Sequence, residues 1–257
     1  MWPVLLDLSI GPVPIRLHTY GLLVAIGMWA GVWLMSRAAR RAGLPVALIY
    51  DLAVYLLLGG LLGGRLLYVI LHPQDYLLHP YRVLFLWEGG MMFHGGIAGA
   101  LVAGAFFLRR RKSLTFRQAA DLAAPSVALG HALGRLGCFA AGCCYGRITT
   151  GPFAVTFTDP RALAPTGVPL IPTQLLASGT DLATMGLLIW LRRTPRPAGE
   201  LFCWYLILAS IIRLLLEVLR GDDRGPVWFG LTATQWVACA MLLVGLVARW
   251  RLQPVPG

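Results

Sequence analysis

Residues 48–71 read LIYDLAVYLLLGGLLGGRLLYVIL, an apolar stretch in which only Asp51 and Arg65 are charged. About 20 helical residues cross a hydrocarbon core about 30 Å thick, so this stretch predicts a membrane-spanning helix. The composition agrees, because 58% of the 257 residues are hydrophobic and 13% are charged, against about 25% charged in soluble domains. These values exclude a soluble globule, a disordered chain, a coiled coil and a small disulfide scaffold.

Six further apolar stretches bring the predicted number of spans to seven. The spans cover roughly residues 18–36, 48–71, 91–108, 118–139, 173–191, 200–219 and 231–249. We therefore predict an all-α polytopic membrane protein that forms a single integral-membrane domain over residues 1–257. Two non-helical regions complete it, an extracytoplasmic arm over 1–17 with hairpin-like alternation and a small cap over 145–172. The first residues lack the basic start of a secretory signal peptide, so the first span is expected to remain in the mature protein.

The formal net charge of +11 is distributed unevenly between the connections. The connections after spans one, three, five and seven hold 13 Lys and Arg residues, and the opposite side holds six. Because basic residues concentrate on the cytoplasmic side, this bias predicts an N-terminus outside and a C-terminus in the cytoplasm. Topology accounts for most of the charge, and no nucleic-acid partner is expected.

Three arginines, Arg65, Arg135 and Arg213, fall inside predicted spans. A charge at a helix centre costs at least about 2.5–3.5 kcal/mol on insertion scales and by default indicates a functional site. The alternative is a structural role, in which each side chain reaches the interface or pairs, as Arg213 could with Glu217 one turn later.

Two of these arginines belong to helical faces with other polar residues. His131, Arg135 and Cys138 lie at i, i+4 and i+7, and so do Arg213, Glu217 and Arg220. Two cationic helix faces suit the phosphate of a phospholipid, because guanidinium groups keep their charge and donate two parallel hydrogen bonds.

His94 lies in the stretch WEGGMMFHGG over residues 87–96, at the outer start of the third span. Its ordinary pKa near 6.5 suits proton transfer, and the glycines around it leave room for a substrate. A lone interfacial histidine can also be structural. Glycines four residues apart predict close helix packing at Gly59/Gly63, Gly60/Gly64, Gly95/Gly99 and Gly130/Gly134.

The stretches 20–21, 60–68, 87–96, 134–146, 153–174 and 213–220 resemble motifs of the bacterial prolipoprotein diacylglyceryl transferases. The resemblance covers about residues 15–240 in the same order. It implies a multi-pass inner-membrane enzyme that transfers the diacylglyceryl group of phosphatidylglycerol to the lipobox cysteine thiol of a preprolipoprotein. A thioether forms and glycerol phosphate leaves. The implied partners are phosphatidylglycerol, lipobox peptides and membrane lipids, with no cofactor and no metal.

The resemblance also implies roles for individual residues. The implied catalytic residues are His94, Arg135 and Arg213. The implied substrate-binding residues are Tyr20, Arg65, Glu88, Gly95, Gly96, Gly134, Cys138, Gly142, Gly146, Glu217 and Arg220.

The chain departs from the family's usual pattern at two motifs. Residues 137–143 read GCFAAGC where many members have Gly-Asn-Phe-x-Asn-Gly-Glu, and residues 171–177 read IPTQLLA where His-Pro-Thr-Gln-Leu-Tyr-Glu is usual. A non-catalytic or altered-substrate lipid-binding relative is therefore an alternative. A transporter is a further one, although no inverted repeat is evident.

The five cysteines divide into two groups. Cys203 and Cys239 lie within spans and are expected to be packing residues. For Cys138, Cys143 and Cys144 the first expectation is a disulfide or a small-residue substitution. A metal site that includes His131, and a thiol relay or redox role, are the alternatives, although the spacing matches no strong zinc pattern.

Overall fold

The computed structural model describes residues 2–10, 13–77, 79–85, 89–111, 113–225 and 227–252. A helix accompanies every predicted span. The long helices are α1 (Thr19–Arg41), α2 (Val46–Leu71), α4 (Phe93–Arg110), α5 (Phe116–Ala141), α6 (Thr173–Leu191), α7 (Glu200–Val218) and α8 (Ala233–Trp250). The short α3 (Gln74–Leu77) and a 3-10 turn (Pro80–Leu84) lie between α2 and α4.

Among the described residues, five helices are long and apolar enough to cross a membrane, namely α1, α2, α6, α7 and α8. The helix α4 is not among them, although its apolar sequence makes it a clear candidate, because His94, Arg109 and Arg110 take up part of its 18 residues. The fifth helix, α5, contains Asp121 and Arg135. The structure is therefore that of a mostly helical membrane protein with at least five apolar helices.

The surface of α2 explains why this chain needs a lipid environment. Leu58, Leu62, Leu66 and Ile70 lie one turn apart on one face, and each is more than half exposed. A continuous exposed stripe of large apolar side chains is rare on a soluble monomer and is typical of a lipid-facing helix.

The backbone divides into two compact units, Ser36–Ala119 and a second that combines Met1–Met35 with Ala120–Gly257. In the first unit, α2 packs against α4 through the predicted glycine pairs. A Cβ atom added at Gly59 would lie 2.6 Å from the carbonyl oxygen of Gly99, and one added at Gly63 would lie 2.7 Å from the Cα of Gly99. No side chain fits in this contact, so glycine permits the close approach.

In the second unit, α1 packs against α5, and α7 packs against α6 and α8. Its buried cluster contains Ala124, Ala128, Leu188, Leu201 and Tyr205. The carboxylate of Asp121 accepts hydrogen bonds from the backbone N–H groups of Gly199 (2.6 Å) and Phe202 (2.9 Å) at the start of α7. A carboxylate at this position satisfies free N–H groups and stabilises the helix N-terminus.

The two expected non-helical regions are present. The strands β1 (Val4–Ile10) and β2 (Val13–His18) pair antiparallel in the N-terminal arm. In the cap, β3 (Val155–Thr156) pairs with β4 (Pro169–Leu170) over a small core around Phe157. A third short pair, β5 (Val227–Trp228) and β6 (Leu231–Thr232), precedes α8.

Candidate active site

The C-terminus of α5 brings two cysteines together through backbone geometry. Gly142 has φ +77°, and its N–H bonds to the carbonyl of Phe139, while the N–H of Cys143 bonds to the carbonyl of Cys138. These two bonds define a Schellman motif, in which the chain turns back over the last helical turn. The motif places Cys143 against Cys138, and it explains why position 142 is a glycine.

The third cysteine joins them because Cys144 adopts φ +62°, an unusual conformation for a residue with a side chain. The sulfur atoms of Cys138, Cys143 and Cys144 all lie within 4.8 Å of one another. None of the five cysteines, all of which the structure describes, forms a disulfide bond, so the expected disulfide is not present. His131 is not part of this group, and the expectation that it joins the thiols is wrong.

A cationic side chain lies near the thiol group. The guanidinium of Arg220 lies within electrostatic range of the Cys144 thiol, while its own hydrogen bonds go to the carboxylate of Asp222. Interactions with the thiols of Cys138 and Cys143, and with the guanidinium of Arg220, lower the pKa of the Cys144 thiol.

Backbone pairing fixes the position of Arg220. The N–H of Arg147 donates to the carbonyl of Leu219, and the N–H of Gly221 donates to that of Tyr145, while Gly146 bridges Arg220. A Cβ atom at Gly146 would lie 2.6 Å from the carbonyl oxygen of Ile171. Gly146 therefore acts through close backbone packing that positions Arg220, and this gives the predicted motif glycine a physical role.

Glu217 organises a second group at the end of α7. Its carboxylate is almost fully buried and accepts hydrogen bonds from the hydroxyls of Thr232 (2.9 Å) and Thr234 (2.7 Å) and from the guanidinium of Arg224 (2.9 Å). It also forms the predicted ion pair with Arg213 at 3.3 Å. With this many donors on its two oxygens, Glu217 positions Arg213 and has little capacity left for a substrate.

Arg135 differs from these residues because the described part of the chain gives it no hydrogen bond and no ion pair. It lies on α5 within electrostatic range of Arg213 and Cys138. The group formed by Arg135, Arg213, Arg220 and Arg224 faces three carboxylates, on Asp181, Glu217 and Asp222. Positive charge is in excess even when every carboxylate is ionised, so the group favours an anion.

Gly134, the residue before Arg135, faces open space. A Cβ atom at Gly134 would meet nothing within 4 Å, so the expected close packing at this glycine does not occur. At Gly137 a Cβ atom would lie 3.1 Å from the ring of Tyr20, which places the predicted Tyr20 against α5. The structure thus brings together Tyr20, Gly134, Arg135, Cys138, Gly142, Gly146, Arg213, Glu217 and Arg220 within the second unit.

Arg65 lies in the first unit and has a different role from the one expected. Its side chain is 4% exposed, and its five N–H groups donate to the backbone carbonyls of Arg82, Val83, Phe85, Gly89 and Gly90. No donor is left for a phosphate. The assignment of Arg65 to substrate binding is therefore corrected, because the residue holds the loop that precedes α4.

His94, Gly95 and Gly96 also belong to the first unit. His94 is the second residue of α4 and its side chain is exposed, whereas Gly95 is buried against α2. Gly95 therefore serves helix packing, and His94 has the accessibility that a base needs. The predicted Glu88 lies outside the described residues.

The sequence patterns do not indicate several residues that contact the arginine group. Arg224, Asp222, Thr232 and Thr234 lie in or after the connection from α7 to α8 and contact Glu217 or its partners. An arginine, a carboxylate and two threonines within 17 residues of Glu217 are a weak signal. Asp181, one polar residue within an apolar span, was the stronger one.

The fold and the site define an integral-membrane protein with a partly buried group of arginines. A sequence profile of the prolipoprotein diacylglyceryl transferases matches residues 3–251. A phosphatidylglycerol–prolipoprotein diacylglyceryl transferase of Clostridium tetani is 33% identical over 246 residues, which is 96% of each chain. The protein of the same name from Bordetella avium is 37% identical over 242 residues, 91% of this chain and 89% of the relative. The chain belongs to the prolipoprotein diacylglyceryl transferase family.

Proposed function

We propose that this chain transfers the diacylglyceryl group of phosphatidylglycerol to the lipobox cysteine of prolipoproteins. Membership of a family whose relatives carry this activity in their names supports the reaction class. The observation that carries the proposal to this chain is the partly buried arginine group, in which Arg135 has no hydrogen bond or ion pair to the described residues and positive charge is in excess. A phospholipid phosphate supplies the missing negative charge.

The reaction is a substitution at carbon. The acceptor thiol loses its proton, the sulfur attacks the glyceryl carbon, the carbon–oxygen bond to phosphate breaks, and glycerol phosphate leaves. The phosphate gains one negative charge as this bond breaks. Arg135 and Arg213 stabilise that charge in a water-poor site, which lowers the barrier because their donors are already in position. Glu217 positions Arg213 through the ion pair at 3.3 Å.

His94 is the proposed base. A free thiol has a pKa of about 8.5 and is only a few per cent ionised at neutral pH, so a group that accepts its proton accelerates attack. The exposed position of His94 at the start of α4 supports this role. Tyr20, Gly134, Cys138, Gly142, Gly146 and Arg220 are proposed to line or shape the lipid site.

We further propose that all seven long helices cross the bacterial inner membrane, with the N-terminus outside. Five of them meet the length and hydropathy expected of a span. The two polar helices, α4 and α5, contain His94 and Arg135, and an ionisable residue inside a membrane by default indicates a functional site, which accounts for their lower hydropathy. The bias of basic residues supports the orientation.

The test is transfer by the purified chain in vesicles. The protein is reconstituted with phosphatidylglycerol, a synthetic lipobox peptide is added, and the peptide mass is measured. We expect the mass of one diacylglyceryl group on the cysteine, release of glycerol phosphate, and no product when phosphatidylethanolamine replaces phosphatidylglycerol. His94→Ala should remain folded and lose transfer by at least about 100-fold.

A relative with an altered donor or acceptor is the second candidate, and one observation favours it. Cys138 and Cys143 occupy positions where many family members have asparagine and glutamate. Complementation of cells depleted of their own transferase distinguishes the two candidates. Restored growth supports the proposed reaction, whereas lipid binding without product in vesicles and without growth supports the altered relative.

A further inference from the structure

The three thiols at the end of α5 are arranged differently from ordinary packing cysteines. Their sulfur atoms lie within 4.8 Å of one another, and each cysteine reaches this place by a separate backbone device. Cys138 is helical, Cys143 follows the Schellman turn, and Cys144 has φ +62°. A positive φ is unfavourable for a residue that has a side chain, so the surrounding structure must hold Cys144 in this conformation.

We propose that Cys138, Cys143 and Cys144 form a binding site for one Zn²⁺ ion, with a fourth coordination position open to water. In tetrahedral zinc sites the zinc–sulfur distance is about 2.3 Å, which sets the sulfur–sulfur distance at about 3.8 Å. The observed separations require a contraction of about 1 Å or less. Three protein ligands with one open position is the arrangement of catalytic zinc sites, whereas structural sites have four ligands.

The charges near the thiols fit a bound ion. Three thiolates and one Zn²⁺ carry a net charge of −1. The guanidinium of Arg220 lies within electrostatic range of Cys144, and that of Arg135 lies within electrostatic range of Cys138. Positive charges near the ligating thiolates offset the negative charge of the site.

Gln174 provides an independent observation. Its amide nitrogen donates to the carbonyl of Cys143 at 2.8 Å, and the residue is 1% exposed. The oxygen of the same amide, Oε1, is a buried acceptor with no hydrogen-bond partner in the described part of the chain. A buried acceptor without a donor costs about 1–3 kcal/mol. A water molecule bound beside the thiols would be a donor of the kind that this acceptor lacks.

The segment that contains Cys143 and Cys144 is held in place by hydrogen bonds and is accessible to an ion. The hydroxyl of Thr173 donates to the carbonyl of Cys144 at 2.7 Å, so α6 fixes the backbone of both later cysteines. Cys143 and Cys144 are partly exposed, which gives an ion a route of entry. We choose Zn²⁺ because it takes four ligands and accepts a bound water beside three thiolates, whereas Cu⁺ is satisfied by thiolates alone.

Zinc binding is measured on the full chain in detergent, without substrate. The protein is reduced with a phosphine, freed of metal, and titrated with Zn²⁺ against a chromophoric chelator. We expect one Zn²⁺ per chain. Substituting Cd²⁺ should produce the ultraviolet absorption of a cadmium–thiolate bond, with an intensity that corresponds to three sulfur ligands.

Matched variants assign the ion to the cluster. Cys138→Ser, Cys143→Ser and Cys144→Ser should each weaken binding by more than about 100-fold, since loss of an outer-shell partner alone costs 10–100-fold. Cys203→Ser and Cys239→Ser are the controls and should bind as the parent does. Thermal unfolding of each metal-free variant checks the fold. A parent that binds no Zn²⁺, or equal binding in all five variants, overturns the proposal.

Discussion

Arg65 and Arg135 are both arginines on long apolar helices, and the structure gives them opposite roles. Arg65 is 4% exposed and donates all five of its N–H groups to backbone carbonyls of one loop. Arg135 has no hydrogen bond or ion pair to the described residues, and open space at Gly134 lies one residue away. The N–H donors of Arg65 are all used within the fold, whereas those of Arg135 are available for a ligand.

The difference shows that donor occupancy, more than burial, separates a structural arginine from a functional one. The cost of a charge inside a membrane is similar for both, so each must be compensated. Backbone carbonyls compensate Arg65. The described residues give Arg135 no hydrogen bond or ion pair, and the proposed function assigns this role to a bound anion. Substitutions at the two positions should therefore affect different measurements.

The largest expected effect is that of Arg135→Lys on transfer. Lysine keeps the charge but loses the planar pair of donors that a phosphate accepts. Loss of one donor that stabilises transition-state charge costs about 10²–10³ in rate, so kcat should fall by that factor. Transfer to a lipobox peptide in phosphatidylglycerol vesicles gives kcat, and thermal unfolding gives stability, which should stay close to that of the parent. Equal kcat in the two proteins would remove Arg135 from the phosphate site.

The corresponding change at Arg65 should act mainly on stability. Arg65→Lys leaves three N–H donors for five carbonyls, so at least two carbonyls lose their donor. We expect a loss of about 2–4 kcal/mol in the free energy of unfolding, from the cost of unsatisfied buried polar groups. Thermal unfolding in detergent measures it. If Arg65→Lys unfolds as the parent does while KM for the lipid rises, Arg65 contacts substrate after all and the comparison fails.

A pair of glycine substitutions sharpens the same contrast between packed and open regions. Gly63→Ala should destabilise the chain by about 1–3 kcal/mol, because its Cβ would lie 2.7 Å from the backbone of Gly99. Gly60→Ala is the matched control on α2, since its Cβ would lie 3.6 Å from the nearest atom, in ordinary contact.

Gly134→Ala should not destabilise the chain, because its Cβ meets nothing within 4 Å and alanine favours the helix. If the lipid substrate occupies the space beside Gly134, Gly134→Ala raises KM for phosphatidylglycerol. Unfolding temperatures of the three variants and KM for phosphatidylglycerol test both statements. A loss of stability for Gly134→Ala equal to that for Gly63→Ala would show that the space is not open.

The helices and their order could be predicted from sequence, because apolar length and glycine spacing are local properties. Each long helix begins and ends within five residues of the predicted span, and the pair Arg213–Glu217 follows from the helical repeat. The N-terminal hairpin was equally predictable from alternation around Gly11-Pro12.

The roles of individual residues were harder to predict, because they depend on contacts distant in sequence. The partners of Arg65 lie 17–25 residues away in an irregular loop, and no periodicity indicates them. The meeting of three thiols depends on one glycine at positive φ. The pattern of a helical Cys138 followed by Gly142 and Cys143 contains this information, but only once the helix is known to end at Ala141.

The smallest expected effect concerns a third kind of arginine, exposed and paired in the cap. Arg161 donates to both carboxylate oxygens of Asp159 at 3.1 and 2.9 Å. These hydrogen bonds from Arg161 lower the pKa of Asp159 to about 2. A carboxylate whose pKa is lower in the folded chain stabilises it above its unfolded pKa of about 3.9, and this contribution disappears as pH falls towards 2.

The parent should therefore be more stable than Asp159→Asn near neutral pH, and the difference should shrink below a pH of about 4. Asparagine can keep the hydrogen bond from the backbone N–H of Arg161, so the comparison isolates the charge. Because the pair is exposed, the effect should be a small shift in Tm and should weaken further at high salt. Unfolding temperatures across this pH range, at low and high salt, provide the measurement. A difference that grows as the pH falls has the wrong sign for a lowered pKa, and it would mean that Asp159 supports the cap through some other contact.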